Sequence, residues 1–167
     1  MAVGPDLSEW LKLRRMQLAL AFRVVIAALM ALVVALGLRL HLPLWAVLTA
    51  VIVTQMSVGR SIKATTDYLI GTIGGAVYGG LIAVMFPHAT EAALLAVLAL
   101  AVALLAVVAA INPSLNVAPI TAIIVLLLPA MTHDSPLDSA IERVLEVAVG
   151  AFTGLAVSFA VVPSRAH

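Results

Sequence analysis

The chain has 167 residues, 64% of them hydrophobic and 10% charged, with a formal net charge of +1. A water-soluble domain runs roughly 45–50% apolar and about 25% charged, so lipid must cover much of this surface. The few scattered basic residues exclude a nucleic-acid-binding face, and the absence of Cys excludes disulfides, Cys-rich zinc sites and thiol nucleophiles.

The apolar runs are continuous rather than alternating, which points to helices and not to a barrel, since lipid tolerates no unpaired backbone. Asp6 to Met16 reads as an amphipathic lead-in with Trp10 at the interface. Its basic residues Lys12, Arg14 and Arg15 precede Leu18 to Leu38, about as long as a full span of ~20 residues and longer than the ~7–15 of a cleavable signal. Span 1 is therefore expected at about 18–38. Span 2 follows at 43–58, opening with Pro43 and Trp45. Span 3 covers 66–86 and stops at Pro87, and span 4 covers 91–111 and stops at Asn112-Pro113. Span 5 covers 116–131 with Pro119 and Pro129 inside it. Span 6 covers 138–162 and stops at Pro163.

The expected fold class is all-α. Residues 1–167 form a single transmembrane domain, an integral membrane six-helix bundle. With the N-terminus inside, Lys12, Arg14, Arg15, Arg60, Lys63 and Arg165 fall on the cytoplasmic side and only Arg39 on the outer side. This positive-inside pattern places both termini in the cytoplasm. His41, His88 and His133 gather on the outer side in different loops, at spacings that fit no metal-ligand motif. No metal and no cofactor is expected, and no nucleophile elbow, phosphate loop or zinc-protease motif points to an enzyme.

The chain also repeats itself. Ala46-Val-Leu-Thr49-Ala50-Val-Ile52-Val53 in span 2 reads like Ala118-Pro-Ile-Thr121-Ala122-Ile-Ile124-Val125 in span 5, and Gly75 and Gly79 correspond to Gly150 and Gly154. Repeat 1 covers about 18–86 and repeat 2 about 91–163. Each holds three spans, an odd number, so the second copy enters the membrane the opposite way. Two inverted three-helix repeats are a transporter architecture, whose binding site is marked by short or Pro-broken spans in matching positions. Spans 2 and 5 fit that description, although their prolines also serve simply to start and stop short helices.

Charges within spans cost at least ~2.5–3.5 kcal/mol each at the bilayer centre. Arg143 could hold a carboxylate by a bidentate contact. Glu146 shares its helix face and, with Asp67, is a candidate for carrying a coupled proton. Arg23 and Asp67 lie near span ends, where snorkelling to the surface explains them equally well. Trp45, Thr49, Gln55, Asn116 and Thr121 on and beside the short spans complete the candidate substrate-binding set. Gly71, Gly75, Gly79, Gly150 and Gly154, four apart within each helix, form smooth faces for close helix packing.

The stretch Leu42-Pro-Leu-Trp45-Ala-Val-Leu-Thr49-Ala-Val-Ile-Val-Thr-Gln55-Met-Ser57-Val-Gly59 resembles the second-span signature of the fusaric acid resistance (FUSC) and aromatic acid exporter families. Tyr68-Leu-Ile-Gly71-Thr72-Ile-Gly74-Gly75 is similar to the motif that follows it, and Arg143-Val-Leu-Glu146-Val-Ala-Val-Gly150 to a second copy. Tyr68 stands where those families usually have Arg, Met56 where they often have Pro, and the large cytoplasmic domain of many relatives has no counterpart here. The resemblance implies proton-driven export of small aromatic or other organic anions from a multi-pass protein of the bacterial inner membrane. Many relatives carry two such modules, so a single module implies a homodimer or higher homo-oligomer. An oligomeric anion channel and a non-transporting membrane subunit are the alternative readings.

Overall fold

The computed structural model describes residues 7–86, 90–132 and 135–161. The expected stops at Pro87 and Pro163, and Asp6, His88, His133 and Arg165, lie outside them. So do the side chains of Trp10 and Lys12. Among the described residues the chain is wholly helical: α1 (Leu7–Gly37), α2 (Pro43–Val53), α3 (Val58–Met85), α4 (Glu91–Ile111), a 3-10 turn at Pro113–Leu115, α5 (Ala118–Thr132) and α6 (Pro136–Ala160). Four of these helices, and the 3-10 turn together with α5, are long and apolar enough to cross a membrane. Large apolar side chains such as Leu18, Phe22, Leu95, Ile111 and Phe152 face outward, as expected where lipid is the solvent. The protein is a multi-pass membrane protein.

Local chemistry sets the helix boundaries. Thr90 caps α4 by accepting from the Ala93 N–H at 3.2 Å. Ser135 caps α6 by accepting from the Asp138 N–H at 3.2 Å, with Pro136 in the first turn, where its missing N–H is not needed. In the α1–α2 connection Arg39 adopts a left-handed φ of 53°, and the Leu40 N–H closes back on the Ala35 carbonyl at 3.0 Å. The residue that bends the chain is thus an arginine, two positions beyond Gly37.

Two expected boundaries are corrected. Span 2 ends at Val53 rather than 58, and the next helix begins at Val58 rather than 66. Residues 54–57 leave the helix, and the three polar ones among them find local partners. The Thr54 hydroxyl donates to the Ala50 carbonyl at 2.7 Å, the Gln55 N–H donates to Ser61 Oγ at 2.9 Å, and Ser57 caps α3 by accepting from the Arg60 N–H at 3.3 Å. Asp67 therefore does not open α3 but lies within it. At 11 residues, α2 is about 16 Å long, roughly half the ~30 Å hydrocarbon core. The amphipathic lead-in and span 1, expected as separate, form the continuous helix α1.

Helices α3 and α6 lie side by side and antiparallel: Ser61 meets Ser158, and Gly80 faces Ala140. The shorter helices pack on this pair through glycines. A Cβ at Gly75 would overlap the Ala118 carbonyl, and one at Gly79 would lie 3.0 Å from Ala122 Cα. A Cβ at Gly150 would overlap the Ala46 carbonyl, and one at Gly154 would lie 2.9 Å from the Ala50 carbonyl oxygen. These are the positions that the sequence matches across its two halves. The glycine-bearing helix of each half holds the short helix of the other, so matched residues make matched contacts. Gly71 likewise packs against Val117 and Ala118. Helix α1 covers α2 and α6, and α4 covers α5.

Candidate functional site

Near the middle of the α3–α6 pair lies Arg143, on α6 and only 2% exposed. Its guanidinium stacks on Trp45 of α2, 4.1 Å from the ring centroid. Tyr68 of α3 lies within hydrogen-bonding reach of it, and Glu146, one turn further along α6, acts on it electrostatically. Yet none of its three guanidinium nitrogens meets a protein acceptor in hydrogen-bond geometry. Magnitudes decide what this means. A desolvated cation–π contact contributes about 2 kcal/mol, whereas desolvation costs several kcal/mol per ion. Stacking on Trp45 offsets only part of that cost, and the neighbouring Tyr68 and Glu146 contribute the rest of the favourable surroundings.

The nearest carboxylate is committed elsewhere. Glu146 is 2% exposed, and its Oε1 accepts from the backbone N–H of Leu42 at 2.7 Å. Leu42 immediately precedes Pro43, the first residue of α2, so Glu146 satisfies the positive end of that helix, as a carboxylate does at an N-terminus. The start of α2 is thus occupied by the chain's own side chain. Above it, His41 and Glu142 pair at 3.5 Å on the exposed rim.

The remaining candidates divide into buried and peripheral groups. Thr49 and Thr121 are fully buried on α2 and α5. The Thr49 hydroxyl donates to the Trp45 carbonyl at 2.7 Å, and that of Thr121 has no partner. Gln55 lies beyond the far end of α2 and donates from its side-chain amide to the Ile52 carbonyl at 2.7 Å. Asn116 is exposed and ends the 3-10 turn through its N–H bond to the Pro113 carbonyl at 3.2 Å. Asp67 pairs with Lys63, one helical turn away. The structure thus brings together Arg143, Trp45 and Glu146, and leaves Gln55, Asn116 and Asp67 apart from them. It adds Tyr68, whose signal was available: it holds the position in the first half that Arg143 holds in the second.

Arg23 departs from expectation. A snorkelling arginine keeps its head in water, but Arg23 is 2% exposed, with its head among α1, the α2–α3 linker and α6.

A helical membrane module with a buried arginine stacked on a tryptophan at its centre is the class that fold and site define. The model of the fusaric acid resistance protein-like family matches residues 25–157, and the chain belongs to that family, which is one of membrane transport and resistance proteins. No curated protein and no solved structure matches the chain significantly.

Proposed function

We propose that the protein is a proton-coupled exporter of small organic carboxylates, with Arg143 as the anion-binding group. The observation that carries this reading is the buried Arg143 guanidinium, with Trp45 and Tyr68 beside it and, among the described residues, no carboxylate in hydrogen-bond contact with it. A carboxylate can meet two guanidinium nitrogens at once, a geometry that a single backbone carbonyl cannot supply. An aromatic carboxylate fits the reading further, because Trp45 and Tyr68 flank the cation and provide π surface.

Glu146 supplies the coupling. A bound substrate carboxylate and an ionised Glu146 would place two negative charges beside one cation. A proton on Glu146 leaves one charge of each sign, so binding of the anion and the proton occupancy of Glu146 are linked at this site. The two halves serve as inverted repeats, and the glycine contacts at Gly75, Gly79, Gly150 and Gly154 are the surfaces on which they slide. The basic residues Arg14, Arg15, Arg60 and Lys63 face the cytoplasm of a bacterial inner membrane, where copies of the chain associate as homodimers or higher oligomers.

Uptake of labelled benzoate and succinate into proteoliposomes, with and without an imposed pH gradient, tests the proposal. Saturable accumulation driven by the gradient is expected from the wild type and is lost in Arg143→Gln and Glu146→Gln. Flux that follows only the anion's electrochemical gradient and survives Glu146→Gln identifies a channel. Absence of flux with any anion supports the subunit reading instead.

A further inference from the structure

Arg23 has the same unusual chemistry as Arg143 at a second place in the fold. Nη1 donates to the Met56 carbonyl and Nη2 to the Ser158 carbonyl, both at 3.4 Å, and Nε has no partner. Both acceptors are neutral, both bonds are long, and among the described residues no carboxylate pairs with it. By helical rise the residue lies about 12 Å along α1 from Arg15, well beyond a surface cluster.

A polar seam joins the two cations. The carbonyl of Ser158 accepts from Arg23, and its hydroxyl donates to Ser61 Oγ at 3.2 Å. From Ser61 the inner face of α3 continues through Thr65, Tyr68 and Thr72, at helical spacings that keep all four on one side. Tyr68 acts directly on Arg143. Thr65 and Thr72 are buried, and neither hydroxyl has a partner. Four helical threonines elsewhere, Thr49, Thr66, Thr132 and Thr153, each donate to the carbonyl four residues back, and only Thr121 of α5 shares the unpartnered state among the described residues outside the seam. The two seam hydroxyls lie on the face of α3 that runs between the cations, where valine would fill the same space without an unmet donor.

We propose that Arg23, with the hydroxyls of Ser61 and Ser158, forms a second anion site, and that the hydroxyl face of α3 is the path along which a small carboxylate passes between it and Arg143 inside a single chain. By helical rise, the levels of Ser61 and Tyr68 are about 10 Å apart, two turns over which the hydroxyls donate to the moving anion. The identity of the ligand rests on the transport reading; the existence of the seam does not.

The chain has no cysteine, so Thr65→Cys introduces the sole thiol. In proteoliposomes, a negatively charged sulfonate thiosulfonate reagent should modify Thr65→Cys at least tenfold faster than Val77→Cys, a lipid-facing control on the same helix. Excess benzoate should slow the modification about tenfold. Adding Arg23→Gln should slow the anionic reagent while leaving a cationic reagent of similar size unaffected, and Arg23→Lys should retain most of the preference. Equal reactivity at Thr65→Cys and Val77→Cys, or equal rates for anionic and cationic reagents in the Arg23 chain, would overturn the proposal. The Thr65→Cys arm decides even where Arg23→Gln does not fold. Reactive Thr65→Cys in a chain that moves no carboxylate overturns the transport reading alone. Arg143-dependent flux with an inert Thr65→Cys overturns the seam alone.

Discussion

Arg143 is a buried cation whose desolvation weighs against the fold. Replacing it with methionine keeps a similar stem against Trp45 and eliminates a buried charge. Combined with Glu146→Gln, which keeps an acceptor for the Leu42 N–H, it leaves no buried charge behind. Replacements of buried ionic groups by neutral residues of similar volume stabilise by about 1–4 kcal/mol in favourable cases. The Arg143→Met, Glu146→Gln pair should therefore raise the thermal unfolding midpoint in anion-free detergent while abolishing carboxylate flux. A lowered midpoint would show that the arginine is already compensated within the fold. Glu146 separates its two roles in the same way. Glu146→Gln retains an oxygen that can accept from Leu42, so the midpoint should change little and the pH coupling should vanish. Glu146→Ala strands a buried N–H and should cost about 1–3 kcal/mol, read as a lower midpoint. At Arg39 the direction reverses. Its left-handed φ of 53° disfavours any residue with a Cβ by roughly 1–2 kcal/mol, so Arg39→Gly should raise the midpoint, a result that differential scanning calorimetry can read.

At the scale of helices, glycines distinguish close packing from empty space. Gly150→Ala would drive a methyl into the Ala46 backbone carbonyl, and Gly75→Ala would do the same at Ala118. Backbone cannot rotate aside as a side chain can, so each substitution should cost about 1–3 kcal/mol or more. At Gly59, in the first turn of α3, an added methyl would meet nothing within 4 Å, and Gly59→Ala should stabilise by about 0.5–1 kcal/mol. Equal effects at Gly59 and Gly150 on thermal unfolding would contradict this packing. Much of this level is legible in the sequence. Helix α4 occupies the expected 91–111 because apolarity and end signals coincide there, with Thr90 before it and Asn112-Pro113 after. The α2–α3 boundary is misplaced by hydropathy, which marks where a chain can meet lipid, not where a helix begins. Arg60 and Lys63 look like loop by polarity, yet Ser57 starts the helix ahead of them. The site is legible in the same uneven way. Arg143 and Glu146 stand out as charges in an apolar run. Gln55 and Asn116 stand out by polarity alone and serve their own turns. The burial of Arg23 depends on α6 and the α2–α3 linker converging on it, which no local pattern announces.

Across the whole molecule, the two halves match at their packing glycines but differ at the centre. Tyr68 and Arg143 hold matched positions and face each other, while Gly71 holds the position matched to Glu146. The second half thus supplies both charges, and the first supplies a phenol and an open backbone. If matched positions are related by approximate two-fold symmetry through this point, a guanidinium placed on α3 at Tyr68 should reach nearly the volume that Arg143 fills from α6. Arg143→Tyr alone should abolish carboxylate uptake. The exchanged pair Tyr68→Arg with Arg143→Tyr should restore part of it, with weaker affinity because Val117, which matches Trp45 just ahead of α5, offers no indole to stack on. Gradient dependence should persist, since Glu146 is untouched. Uptake measured at equal protein density, with folding checked by size-exclusion chromatography, decides the matter. A folded double variant no more active than Arg143→Tyr would mean that the cation works only from α6, and that the likeness between the halves reaches their packing but not their site.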